Sequence, residues 1–253
     1  MPLQLTVIFV ALCCILNIVI AAFFGAKFRA SYKKSQNEQM KYFSLFFIFL
    51  AVFLLINTFP HVLGVFEAFG LPLLSLLGPY LNAIGIGSFI VGYAFLYIAL
   101  AYFAMFVSSI GFPRFKRQAF GLVVLMGLVI TILNVLRPKV LTIDPFTKGV
   151  ILQAEPLVIN LMIFVLALIW IPSIIIFISR AIKIASGEIR VRSVLLILGL
   201  LLILIRLLSH DFLRGIEFHV IWDTSFSVGL IFIAAIFYFG KGEKKEELIQ
   251  KTF

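Results

Sequence analysis

Long apolar runs broken by short charged clusters dominate the chain. Seven runs reach or approach the roughly 20 residues that carry a helix across hydrocarbon. They cover 4–26, 42–63, 79–108, 118–136, 156–179, 193–213 and 216–240. Backbone N–H and C=O groups cannot stay unpaired in lipid, so each run is expected to be helical. The expected fold is an all-α integral membrane protein, a bundle of seven transmembrane helices.

The connectors refine this picture. Between the fourth and fifth runs, Val140-Leu-Thr-Ile and Val150-Ile-Leu-Gln flank a segment holding Asp144, Pro145 and Gly149. Two β-branched runs around turn residues predict a short external β-hairpin between helices 4 and 5. Gly64 to Pro79 is apolar but punctuated by Gly64, Gly70, Pro72, Gly78 and Pro79, which suggests an interfacial or re-entrant segment. Gly85, Ser88 and Gly92 share one face of the third run, where small residues favour close helix packing. Tyr93 and Tyr97 lie one turn apart in the same run, fit for packing or for lining a cavity. A shift of 151 residues lays Arg29-Ala30 on Arg180-Ala181 and Gly64 on Gly215, a faint three-plus-one-plus-three repeat.

Composition excludes a soluble fold. Of 253 residues, 63% are hydrophobic, 13% are charged and 29 are Phe, and the mean hydropathy is +1.18. A soluble domain carries about a quarter charged residues; this one would expose large apolar patches to water. Cys13 and Cys14 are adjacent within an apolar run, which fits packing and offers no disulfide framework. No Lys or Arg precedes Lys27, so the first run lacks the basic region of a signal peptide and is expected to be retained.

Charge gives direction. The connectors after the first, third and fifth runs, with the tail, hold sixteen of the 21 basic residues against five carboxylates. The opposite side has five basic and six acidic residues. The positive-inside rule then places the N-terminus outside and the C-terminus in the cytoplasm of a cell-membrane protein. Anionic lipid accounts for the basic side, so no nucleic-acid partner is needed. Residues 1–240 form the expected transmembrane domain. Residues 241–253 form a short charged cytoplasmic tail, which with the basic loops could dock a protein partner.

The polar residues near the outer end are the candidate site. If the sixth and seventh runs turn at Arg214–Gly215, residues whose numbers sum to about 429 lie level. Arg206 then faces Asp223, and His210 faces His219. Charges at membrane depth are usually paired, so an Arg206–Asp223 ion pair is expected. His61 falls near the same level, with Asn57 one turn below and Glu67, Asp211 and Glu217 close in sequence. This cluster either locks helices together or binds a ligand. His61, His210 and His219 are weak zinc candidates, because no HxxH or HxxxH spacing joins them.

Known seven-span families narrow the choice. The last run has no Lys to hold retinal, so a retinal pigment is not expected. Val107-Ser-Ser-Ile-Gly lacks the acidic-Arg-aromatic triplet of G-protein-coupled receptors. Asn57-x-x-x-His61 resembles half of the ligand set in zinc-dependent membrane hydrolases related to alkaline ceramidase, but His219 stands alone in the last run. In span count and loop charge the chain resembles seven-span sensor modules that precede some histidine kinases. The resulting expectation is a receptor- or sensor-like module that binds a small or lipid-like ligand from the extracytoplasmic side. No cofactor is expected. A small-molecule transporter and a membrane-embedded zinc hydrolase are the alternatives.

Overall fold

The computed structural model describes residues 3–71, 78–136, 140–143, 150–153, 156–183, 187–209 and 216–235. Its helices are α1 (Leu3–Ser35), α2 (Glu38–Ala68), α3 (Gly78–Gly111), α4 (Lys116–Leu136), α5 (Pro156–Lys183), α6 (Gly187–Ser209) and α7 (Ile216–Ala235). A 3-10 turn, Pro113–Phe115, leads into α4. Strands β1 (Val140–Ile143) and β2 (Val150–Gln153) pair antiparallel, with Val140 opposite Gln153 and Ile143 opposite Val150. Both strands touch α3, and β2 also touches α2.

The protein is a multi-pass α-helical membrane protein. The expectation of seven spans is corrected, because five helical stretches are long and apolar enough to cross a bilayer among the described residues. They are Ile8–Ser35, Glu38–Phe59, Ile86–Gly111, Pro113–Leu136 and Asn160–Ser179. In α6 and α7 the apolar described stretches are shorter, Ser193–Ile203 and Thr224–Ile233. Gly64–Ala68, read from sequence as interfacial or re-entrant, continues α2 as helix. That helix ends at Gly70 (φ 79°), where Leu71 N–H donates to the Phe66 carbonyl at 3.0 Å.

Consecutive helices pack on one another, and α1 packs on α7. Contacts of α5 with both α3 and α4 complete the ring. The α1–α2 turn explains the first antiparallel pair. Gln36 adopts φ 54°, and its N–H donates to the Tyr32 carbonyl at 2.7 Å, ending α1. Asn37 then caps α2 by accepting from Gln39 N–H at 2.9 Å.

The connectors α1–α2 and α3–α4 lie at one end of the bundle, here termed the basic end. Near it an aromatic core fixes four helices. Phe28 packs on Phe43 (4.7 Å between ring centroids) and Phe43 on Phe106 (4.5 Å). Phe103 packs on Phe46 (5.1 Å) and on Trp170 of α5 (4.9 Å). Lipid is as apolar as these side chains, so the association rests on close packing rather than on escape from water.

Candidate functional site

Moving from the basic end toward the far end, α3 changes character. Leu96 to Ile110 contains ten buried apolar residues. Residues 86–90 are all half-buried, so no face of that stretch is closed. The seam between α3 and α4 crosses this transition.

On α4 the buried face is Val123, Gly127, Ile130 and Asn134, at helical spacing. Gly127 lets Tyr97 of α3 lie directly on the backbone. A Cβ at position 127 would stand 2.5 Å from Tyr97 Cβ and 2.6 Å from Cγ. Long side chains in helices lean toward the helix N-terminus. Tyr97 therefore leans toward the far end, along the stretch of α4 that leads to Asn134. Asn134 is two turns beyond Gly127, about 10 Å along the axis.

Hydroxyls within the bundle fold back onto their own helices. Thr58 donates to the Leu54 carbonyl (2.7 Å), Thr131 to Gly127 (2.7 Å) and Ser173 to Ile169 (2.6 Å). Several other buried polar groups make no such bond. The Tyr97 hydroxyl, both amide atoms of Asn134, Asn17 Oδ1 and Trp170 Nε1 are buried without a hydrogen-bond partner among the described residues. Tyr97 is 4% exposed and Asn134 0%. Each buried unsatisfied group costs about 1–3 kcal/mol. Such groups in a native fold call for a polar partner.

Tyr97 and Asn17 lie near one level of the bundle. Ser44 of α2 donates to the Gly25 carbonyl of α1 at 2.9 Å, which sets the α1–α2 register. Asn17 is two turns farther along α1, near the level of Phe53. Phe53 in turn meets the Tyr93 ring at 5.7 Å, and Tyr93 is one turn from Tyr97. Trp170, packed against Phe103, lies deeper toward the basic end. No charged residue is buried among the described residues. The zone offers neutral donors and acceptors only.

The sequence-predicted cluster is placed only in part. Asn57 is half-buried on α2. His61 lies on α2, Arg206 on α6, and Glu217, His219 and Asp223 on α7, but their side chains are outside the described residues. His210 and Asp211 lie outside them altogether, as does the tail 241–253. The α6–α7 register is visible where Gly199 meets Gly229. A Cβ at 199 would stand 2.7 Å from the Gly229 carbonyl oxygen. Among the described residues no group of three His, Cys, Asp or Glu could hold a metal ion.

Sequence reading had paired Tyr97 with Tyr93 for packing or lining a cavity and had not singled out Trp170. The signal available was the rarity of polar side chains within the apolar runs. Comparisons with protein-family models, with curated proteins and with solved structures give no match.

Proposed function

We propose that this protein is a receptor- or sensor-like membrane module that binds a small uncharged or lipid-like ligand within the far half of its bundle. The unpartnered Tyr97 hydroxyl and Asn134 amide on the α3–α4 seam carry this reading. Together they offer both donors and an acceptor, which suits a ligand bearing a hydroxyl, amide or ester. A charged ligand would lose its hydration without gaining a counter-charge from the buried groups described. In the proposed orientation the far end is extracytoplasmic, and the ligand enters there. The Arg206–Asp223 pair, level in the register that Gly199 and Gly229 suggest, and the residues His61, His210 and His219 would rim the entrance. The basic connectors and tail would present the response to a cytoplasmic partner.

Transport is less well supported. The three-plus-one-plus-three shift maps Gly78, the start of α3, onto Gly229, well inside α7 rather than at its start. The weak hydrolase reading would need zinc held by His61, His210 and His219.

The test is mass spectrometry of small molecules and lipids that copurify with the full chain. Wild type should retain a neutral amphiphile, and Asn134→Leu should lose it by about tenfold, the equivalent of one good hydrogen bond. Stripped of ligand, the same variant should melt at a higher temperature than wild type, because the orphaned amide is gone. Identical copurifying compounds in both proteins would refute the reading.

A further inference from the structure

The basic end holds a second feature that the bundle's ligand zone does not use. Lys116, at the start of α4, forms an ion pair with Glu38, at the start of α2. The Tyr42 hydroxyl donates to the same carboxylate at 3.1 Å, and Lys116 sits 5.7 Å from the Tyr42 ring centroid. This contact joins segments 78 positions apart. It holds the α3–α4 connector level with the α1–α2 turn, at the boundary of the apolar bundle.

The joined surface is strongly cationic. Residues 27–41 and 111–117 contain eight basic side chains and a single carboxylate, Glu38. Glu38 is already engaged with Lys116. Arg114 and Arg117 remain exposed. Their position is unfavourable for α4 itself. The first turn of that helix carries no acidic residue, and cations at a helix N-terminus oppose the macrodipole. An anion bound there would relieve both effects.

The same connector also exposes two aromatic rings. Phe112 and Phe115 are each 60% exposed, on either side of Pro113 and Arg114. Alternating aromatic and guanidinium groups at a membrane boundary match a phospholipid in two parts. The rings suit the junction of headgroup and acyl chains. A guanidinium binds a phosphate through two parallel hydrogen bonds.

We propose that the α3–α4 connector is a binding site for the headgroup of an anionic phospholipid. Arg114 and Arg117 hold the phosphate, and Phe112 and Phe115 seat at the acyl boundary. The Lys116–Glu38–Tyr42 contact positions the connector. The site works in whichever leaflet the basic end faces, and it does not depend on the ligand proposed for the α3–α4 seam.

Native mass spectrometry of the full chain in mild detergent tests this, with phosphatidylglycerol or phosphatidylcholine added. Wild type should retain phosphatidylglycerol in preference. Arg114→Gln with Arg117→Gln should lower that retention roughly tenfold or more, given about 1 kcal/mol per basic residue at an anionic surface. Phe112→Ala with Phe115→Ala should lower it without changing charge, which keeps a test available if the arginine variant does not fold. Lys33→Gln with Lys34→Gln should keep most of the preference. An equal loss in the lysine variant would show diffuse attraction and overturn the site. So would unchanged retention in either connector variant. Displacement of the lipid by millimolar inorganic phosphate would assign the site to a free anion instead.

Discussion

Two residues at the α1–α2 turn show how local chemistry sets an element boundary. Asn37 is a favourable cap, while Gln36 is forced into the left-handed region with φ 54°. That conformation costs a residue with a Cβ about 1 kcal/mol and glycine almost nothing. Gln36 also makes one long side-chain hydrogen bond, 3.3 Å from Nε2 to the Lys33 carbonyl, which is exposed and weak. Gln36→Gly should therefore raise stability by about 0.5 kcal/mol. Denaturant unfolding in detergent would measure it, and a fall in stability would show that the side-chain bond matters more than the backbone strain. Tyr97 and Asn134 show the reverse case. Their residue types were legible as unusual in an apolar run, but their lack of partners depends on what faces them.

At the scale of elements, α4 depends on one seam. Its outward side exposes Leu122, Leu125, Leu128, Ile132 and Val135, so its specific packing lies along Val123, Gly127, Ile130 and Asn134. Gly127→Ala would gain at most about 1 kcal/mol of helix propensity. It would also drive a methyl group into Tyr97 Cβ, an atom fixed to the α3 backbone. Overpacking of this kind costs about 1–3 kcal/mol, so the clash wins. Gly127→Ala should lower the melting temperature, and Tyr97→Gly in the same chain, which removes the clashing Cβ, should cost less than the sum of the two single changes. Strict additivity would mean that the two residues are not in contact. Sequence had pointed instead to Gly92 as a close approach. There a Cβ would meet Ile56 Cγ2 at 3.5 Å, an ordinary contact. The tightest helix contacts fall at Gly127 and at Gly199 with Gly229, and no periodicity of small residues distinguished them.

At the scale of the molecule, both described connectors of the basic end place their cations on one side of an apolar bundle. Such asymmetry sets orientation during insertion. Cys13 and Cys14 are buried, so single cysteines at Lys33 or Lys244 can be read against a quiet background. A membrane-impermeant maleimide should label Lys33→Cys and Lys244→Cys only after the membrane is opened. Labelling in intact cells would reverse the orientation and move the proposed ligand entrance to the cytoplasmic side. It would leave the lipid site in place, in the other leaflet.

Sequence alone determined that the chain lives in lipid, which runs become helices and which connectors carry the charge. Those properties are sums over neighbouring residues, and hydropathy records them directly. The count of full spans was less legible: seven runs stand out by hydropathy, whereas five stretches among the described residues are long and apolar enough to cross. Only the tertiary structure decided which helix faces meet. Helices that are apolar all round carry no stripe to mark an inside, since lipid and protein neighbours are equally apolar. So the seating of Tyr97 on Gly127, the isolation of Asn134 and the meeting of Glu38 with Lys116 follow from how the helices pack, which hydropathy cannot encode.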